Sequence, residues 1–300
     1  MIGPLFSRKE PDGFGLSFWL PLMWLLLVAV LAGFAHRLPL PEPDRMYWNH
    51  PAKPPGTMRP IGQDNSPEGA DVSGGGIFFL GTDTMGRDMA SRLIHGGRIS
   101  LTVGLAAPAF GMLIGGFLGL LAGYRRGLLE TLIVGAMDAI LAFPGLVLLL
   151  AVTYYLGQGL QNLVLALGFV TIPAFCRVAR AKTLTVADRA YVDAARMMGA
   201  GDAHILFREV FPNVLMSLIV YGLLVAAYMI VAEGALSFLG LGVPPPTPSW
   251  GGMIAEGREV LEEAPTITLF PALAMFLTIL SFNLMADSLR RIVEPGERQI

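Results

Sequence analysis

The chain has 300 residues, of which 54% are apolar and only 15% are charged. Soluble domains carry about a quarter charged residues, so this composition and a mean hydropathy of +0.60 indicate a membrane protein surrounded by lipid. The net charge of -2, without a basic stripe outside the loops, argues against nucleic acid as a partner, and a single cysteine excludes an internal disulfide and a thiolate metal cage.

Six apolar segments are long enough to cross a bilayer as helices, which takes about 20 mostly apolar residues each. They are residues 16–35, 100–123, 131–156, 162–178, 213–238 and 268–287. The first follows Arg8 and Lys9 and ends in Gly33-Phe34-Ala35, so a cleaved secretory signal is an alternative. Its apolar stretch is longer than a typical signal core. We therefore predict an all-α polytopic membrane protein with six transmembrane helices.

Basic residues in the short loops predict how these helices are oriented. With the N-terminus in the cytoplasm, the inner side carries Arg8, Lys9, Arg125, Arg126, Arg177, Arg180, Lys182, Arg189, Arg196, Arg208, Arg290, Arg291 and Arg298. The short outer loops carry only Arg258. Both termini are therefore predicted to be cytoplasmic.

The long segment after the first span has two parts. Residues 39–76 are rich in Pro, Gly and Asp, a composition with too little apolar area to fold alone, and predict an irregular extracytoplasmic loop. In the next stretch, three apolar residues share one helical face and three charged ones lie on others: Met89, Leu93 and Ile94 against Arg87, Asp88 and Arg92. This pattern predicts a short amphipathic helix at the membrane surface.

A polar island, residues 191–213, lies between the fourth and fifth spans. Asp188 is suited to cap a helix there, and Gly199 to end it in the left-handed conformation. A second short helix is predicted near Asp202, with Pro212 turning the chain back into the membrane. A helix lying on lipid headgroups explains this pattern as well as a helix that docks a cytosolic partner.

Two acidic residues fall inside predicted spans, where an unpaired charge costs several kcal/mol and tends to line a water-filled path. Asp138 fits a path residue or an ion-pair partner of Arg125, Arg126 or another chain, and ion pairing is favoured. Glu233 fits a path or gate residue, or a residue at the headgroup boundary. Phe238, near the outer end of the same span, is a further path or gate candidate.

Other motifs have simpler explanations. The glycines Gly115, Gly116, Gly119 and Gly123 fit close helix packing, and Cys176 fits a small apolar packing residue. Four scattered histidines, His36, His50, His95 and His204, have no helical pair, which argues against a metal site. No Gly-rich run ends in the Gly-Lys-Ser/Thr of a phosphate loop, so ATP binding by this chain is not expected.

Several motifs together resemble a known family. Asp193-Ala-Ala195, with Gly199 and Pro212 following, resembles the Glu-Ala-Ala loop of ABC importer permeases. Three further stretches resemble the dipeptide, oligopeptide and nickel permease group. They are Gly81-Thr-Asp-Thr-Met-Gly-Arg-Asp88 with Ser91-Arg92 and Arg98-Ile-Ser-Leu101, Asp138 with Leu141-Ala-Phe-Pro144, and Leu236-Ser-Phe-Leu-Gly-Leu-Gly242 with Pro245-Pro-Thr-Pro-Ser-Trp-Gly251. Within this group the chain resembles the second, C-type permease subunit over residues 81–295.

The resemblance implies a subunit of the bacterial inner membrane without catalytic chemistry or a cofactor of its own. With a second homologous permease it would form a translocation path, fed by an extracytoplasmic binding protein. Two cytoplasmic ATPase subunits, holding ATP and Mg, would drive alternation between outward- and inward-facing states. Peptides are the expected substrates, with nickel chelates, glutathione and similar solutes as alternatives. A secondary transporter and an intramembrane enzyme are the competing classes.

The resemblance also implies a cytoplasmic coupling helix between spans four and five that docks on the ATPase. The expected coupling residues are Tyr191, Asp193, Ala194, Ala195, Arg196, Gly199 and Pro212. The two alanines would pack closely on the ATPase, Asp193 and Arg196 would make polar contacts, and Gly199 and Pro212 would be geometric stops. Asp193 stands where the family motif usually has Glu, so the charge is kept on a shorter side chain.

The predicted division of the chain combines the spans with the resemblance. Residues 1–99 comprise a cytoplasmic N-terminus, the first transmembrane helix and the long extracytoplasmic loop with its surface helix. Residues 100–290 form the ABC importer transmembrane domain, with five helices and a coupling loop at about 186–212. Residues 291–300 form a cytoplasmic tail.

Overall fold

The computed structural model describes residues 15–59, 62–63, 71–72 and 76–293. The N-terminus up to residue 14, most of residues 60–75 and the tail from residue 294 lie outside the described residues, and so do the predictions made for Arg8, Lys9 and Arg298. The described chain is dominated by helices, which confirms the all-α class.

Ten α-helices are described, with two short antiparallel strand pairs before the second of them. The helices are α1 (Leu16–Gly33), α2 (Met89–Arg125), α3 (Gly127–Leu141), α4 (Gly145–Leu156), α5 (Leu160–Ala187), α6 (Ala190–Met197), α7 (Asp202–His204), α8 (Phe211–Phe238), α9 (Trp250–Gly257) and α10 (Thr266–Val293). A π-helical segment, Ile205–Val210, joins α7 to α8. The strands are β1 (Thr57–Arg59), β2 (Gly62–Gln63), β3 (Asp71–Val72) and β4 (Gly76–Phe78), paired β1 with β4 and β2 with β3.

Five helical stretches of the described chain are long and apolar enough to cross a membrane. They are Leu16–Gly33, Met89–Arg125, Leu160–Ala187, Asp202–Phe238 and Thr266–Ile292. The third predicted span, residues 131–156, is not one straight helix, because α3 and α4 meet at 87°. Pro144 lacks an N–H and disfavours the helical conformation at Phe143, which accounts for the break. Six spans are reached when the bent pair counts as one.

The predicted surface helix is wrong as a separate element, because its residues form the start of α2, a continuous helix of 37 residues. Asp88 caps this helix by accepting the backbone N–H groups of Ala90 and Ser91 at 2.8 and 3.0 Å. Arg92, expected on an exposed face, is buried. The predicted division between residues 99 and 100 therefore falls inside a helix.

Helices α2 and α5 pack closely along glycines of α2. A Cβ atom on Gly119 would meet the carbonyl oxygen of Cys176 and lie 2.7 Å from the Cβ of Ala179. One turn later, a Cβ on Gly123 would lie 2.7 Å from the Cβ of Thr183. The predicted glycine packing face is confirmed for these two positions, and Cys176 is buried in this contact as a packing residue.

The outer loop has more structure than its composition predicts. Tyr47 and Phe78 form a small buried core, with ring centroids 5.0 Å apart in an edge-to-face arrangement. The hydroxyl of Ser91 on α2 donates to the carbonyl of Pro41 at 2.6 Å. Tyr47 lies inside the Pro- and Gly-rich stretch and Phe78 directly after it, so parts of the loop pack together and fold against α2.

Candidate functional site

The polar island forms α6, an eight-residue helix with one buried face. Val192 and Ala195, three residues apart, are buried in the main apolar cluster, whereas Ala194 is exposed. The structure therefore contradicts the expectation that both alanines face a partner. Ala195 is turned inward because it shares a helical face with Val192, and Ala194 alone is available for contact.

The exposed face of α6 is both apolar and charged. Met197 and Met198 are 90% and 83% exposed, next to an ion pair between Arg196 and Asp193 at 3.2 Å. The helical spacing of the sequence groups Met198 with Val192 and Ala195 and does not indicate Met197, yet both methionines are exposed beside the helix-ending glycine. Methionine surfaces adapt readily to a bound partner.

Gly199 ends α6 as predicted, with φ at +86°. Its N–H donates to the carbonyl of Arg196, and the N–H of Ala200 donates to the carbonyl of Ala195. Both bonds satisfy carbonyls that a helix end leaves unpaired. No heavy atom lies within 4 Å of a Cβ built on Gly199, so backbone conformation, not space, favours glycine.

Two other predictions about the island are wrong. Asp188 does not cap α6, because Arg189 holds the N-cap position and Asp188 pairs with Arg126 at 2.7 Å. Pro212 does not turn the chain, since the helix continues from Asp202 to Phe238. Pro212 lies in the first turn of α8, where a missing N–H is tolerated, directly after the π-helical segment.

Polar contacts join the island to neighbouring helices. The amide of Asn213, on α8, donates to the hydroxyl of Tyr191, on α6, at 3.3 Å. The hydroxyl of Tyr124, on α2, donates to the carboxylate of Asp202 at 3.0 Å. The island is therefore fixed to the end of α2 and the start of α8, the two ends for which the basic residues predict a cytoplasmic position.

Asp138 pairs with Arg177 at 2.6 Å, not with Arg125 or Arg126. The predicted partners Arg125 and Arg126 are therefore wrong, because α3 packs on α5 and this places Arg177 beside Asp138. Both side chains are more than half exposed, and they line a cavity of about 340 Å³ together with Val134, Met137, Cys176 and Arg180. Arg180 is bound in turn by Glu130.

Glu233 is fully buried inside the protein. Its carboxylate accepts hydrogen bonds from three serine hydroxyls, those of Ser249 at 2.7 Å, Ser237 at 2.9 Å and Ser100 at 3.3 Å. These serines come from three parts of the chain. Phe238 lies apart from this cluster, half-exposed beneath the guanidinium of Arg258.

A second buried polar cluster was not predicted. Asp83 accepts from Arg87 Nε at 2.5 Å and lies 3.3 Å from Arg92 Nε. Glu256, on α9, binds both arginines, at 2.7 and 3.3 Å. We call these four residues the outer ion cluster. The sequence offers the charged motif at residues 81–92 but no signal for a partner more than 160 positions away.

Asp88 adjoins the outer ion cluster and caps α2. Burial raises the pKa of its carboxyl, while the N–H groups of Ser91 and Ala90 and the guanidinium of Arg59 act in the opposite direction. Among the residues that the structure describes, no group of three or more His, Cys, Asp or Glu is placed to hold a metal ion.

Comparisons with known proteins agree with this architecture. Residues 115–299 match the family described as binding-protein-dependent transport system inner membrane component. A glutathione transport system permease protein of Pectobacterium atrosepticum is 44% identical over 72% of each chain. A di/tripeptide transport system permease protein of Pseudomonas aeruginosa is 40% identical over 91% of this chain and 86% of its own.

Two solved structures share the fold at low sequence identity. An inward-facing methionine ABC transporter superposes with a TM-score of 0.57 at 18% identity, over 70% of this chain and 98% of the other. An amino acid ABC transporter superposes with a TM-score of 0.51 at 17% identity, over 70% and 95%.

Proposed function

This chain belongs to the family of binding-protein-dependent transport system inner membrane components, and from its role as a permease subunit of a bacterial ABC importer we propose that it transports peptides, including glutathione-like ones. Family membership decides against the intramembrane enzyme and the secondary transporter. The proposed substrate class is supported by two relatives that are at least 40% identical, one named for glutathione and one for di- and tripeptides.

Membership of this family implies a complex in the inner membrane with other permease and ATPase subunits. We propose that the companions are a second homologous permease, two ATPases that hold ATP and Mg, and an extracytoplasmic binding protein. This chain would hold no cofactor. Substrate binding to the cognate binding protein, measured with glutathione, a dipeptide and a nickel chelate, tests the substrate class.

The exposed face of α6 is the observation that carries the proposed coupling to an ATPase. Met197, Met198 and Ala194 offer apolar contact area, and Asp193 and Arg196 offer opposite charges at its edge. On the opposite face, Val192 and Ala195 pack in the same apolar cluster as Val210 and Val214. A force on α6 would therefore pass into the helix that leads to α8.

Crosslinking tests whether α6 docks on the ATPase. We expect Met197→Cys to crosslink to an ATPase subunit in membranes that contain the whole importer. Tyr155→Cys is the matched control, because Tyr155 is also 90% exposed but lies on α4. Asp193→Lys should weaken the crosslink and Asp193→Glu should preserve it, since only the first reverses the charge. Equal crosslinking from positions 155 and 197 would contradict docking at α6.

A second prediction concerns the end of α6. Gly199→Trp should lower uptake per ATP hydrolysed by about tenfold, because an L-residue in the left-handed conformation costs about 1–2 kcal/mol and shifts the end of α6. Gly201→Trp adds the same bulk at a φ of -72° with open space around it, and should retain uptake. Normal transport by Gly199→Trp would contradict this prediction.

A further inference from the structure

The helix that leaves the island reaches the buried carboxylate without a break. It runs from Asp202 through the π-helical segment to Phe238, so Glu233 lies about 45 Å from its start at 1.5 Å per residue. α6 is attached near the beginning of this helix through Asn213 and Tyr191. One continuous helix therefore connects the attachment point of α6 to Glu233.

The serines around Glu233 connect it to the N-terminus of α9. Ser249 is the N-cap of α9, and its hydroxyl accepts from the N–H of Gly252 at 3.0 Å while donating to Glu233. The hydroxyl of Ser100 accepts from the N–H of Trp250 at 3.2 Å and donates to the same carboxylate. Two backbone N–H groups of the first turn thus reach Glu233 through hydroxyls. A carboxylate there also meets the positive end of the helix dipole.

The backbones of α8 and α9 are in close contact beside the carboxylate of Glu233. A Cβ on Gly251 would lie 2.5 Å from the Cα of Gly234 and 3.1 Å from Glu233 Oε2. A larger residue at position 251 would therefore displace α9. The contact between α8 and α9 is fixed both by glycine packing and by the hydrogen bonds to Glu233.

The other end of α9 is held by the outer ion cluster. Glu256, in the last turn, accepts from Arg87 and Arg92, which belong to the loop before α2 and to α2 itself. Immediately after α9, Arg258 lies over the ring of Phe238, 4.3 Å from its centroid. α9 is thus attached at its first turn to α8 and α2, and at its last turn to the outer loop.

We propose that Glu233 is a positioning residue that makes α9 move with α8, so that a displacement begun at α6 reaches the outer ion cluster and the loop it anchors. The proposal rests on the proposed coupling of α6 to an ATPase. Glu233 fixes the placement of α9 relative to α8 and so transmits force from one helix to the other. Several motifs of the permease group, around Ser100, Ser237, Ser249 and Asp83, then serve one purpose, which is to fasten α9.

The test uses the complete importer, reconstituted with its ATPases, companion permease and binding protein. Glu233→Gln keeps the size of the side chain but removes its charge and replaces one acceptor by a donor. Glu259→Gln is the matched control, an exposed carboxylate just after α9. Hydrogen exchange of residues 249–257, ATP hydrolysis and uptake of radiolabelled glutathione and alanyl-alanine are measured, using whichever probe the wild-type importer accumulates.

We expect Glu233→Gln to speed exchange in α9 at least tenfold and to lower uptake at least tenfold, while ATP hydrolysis and exchange in α6 stay at wild-type levels. Glu233→Asp should recover part of the uptake. Unchanged exchange in α9, or normal uptake by Glu233→Gln, would overturn the proposal. If Glu233→Gln does not assemble, Ser237→Ala, which removes a partner of Glu233 outside α9, is judged by the same two measurements. Failure of the proposed ATPase coupling would appear separately, as absence of the Met197→Cys crosslink when Glu233 is intact.

Discussion

Gly119→Ala is expected to abolish recovery of folded protein from the membrane. The added methyl group would meet the carbonyl oxygen of Cys176 and approach the Cβ of Ala179 to 2.7 Å, so α2 and α5 must separate. Overpacking of a tight interior costs about 1–3 kcal/mol, and here the obstacle is backbone, which cannot rotate away. The yield of monodisperse protein in detergent and its thermal midpoint measure the loss.

Gly135→Ala is the matched control for this change. Gly135 is also a helical glycine in an apolar segment, but no heavy atom lies within 4 Å of the place that its Cβ would take, so alanine fits freely. Alanine should leave the yield unchanged or raise stability by about 0.5–1 kcal/mol, because it favours the helix. Equal yields for Gly119→Ala and wild type would show that α2 and α5 do not pack this closely.

Arg87→Met should destabilise the outer part of the molecule by about 1–3 kcal/mol, because buried Asp83 loses the nearer of its two cations and Glu256 keeps only Arg92. Arg87 is 1% exposed and binds Asp83 and Glu256 at 2.5 and 2.7 Å. The loss should appear as proteolysis of the outer loop and as faster hydrogen exchange in α9. α6, which is remote from the cluster, should keep its protection.

Arg98→Met provides the comparison. Arg98 also lies in α2, but its side chain is exposed, so removing its charge should shift the thermal midpoint little. A similar loss of stability in both variants would mean that the ion pairs of the outer ion cluster contribute no more to stability than any arginine of α2 does.

The apolar segments could be predicted because apolar length is a local property of the sequence. Whether a helix bends or continues at a proline could not. Pro144 and Pro212 look alike in the sequence, yet one separates α3 from α4 and the other lies inside a continuous helix. The difference is position. Pro212 occupies a first turn, and the π-helical segment before it absorbs the change in geometry.

Motifs in the sequence indicated which residues belong to the site, but not which of them are exposed or which partners they contact. The resemblance singled out Ala194 and Ala195 as a pair, but packing of Val192 determines which of them is exposed. Glu233 was recognised because a charge in an apolar span is conspicuous. Its serine partners and the contact of Glu256 with Arg87 depend on tertiary structure, which no local pattern encodes.

Helix α2 is longer than a bilayer is thick. Its 37 residues measure about 55 Å, whereas the hydrocarbon core is about 30 Å thick. In the predicted orientation, with Arg125 at the inner surface, even a tilt of about 20° leaves its first turns well outside the hydrocarbon. The bond from Ser91 to Pro41 would then hold the start of the loop beyond the headgroups.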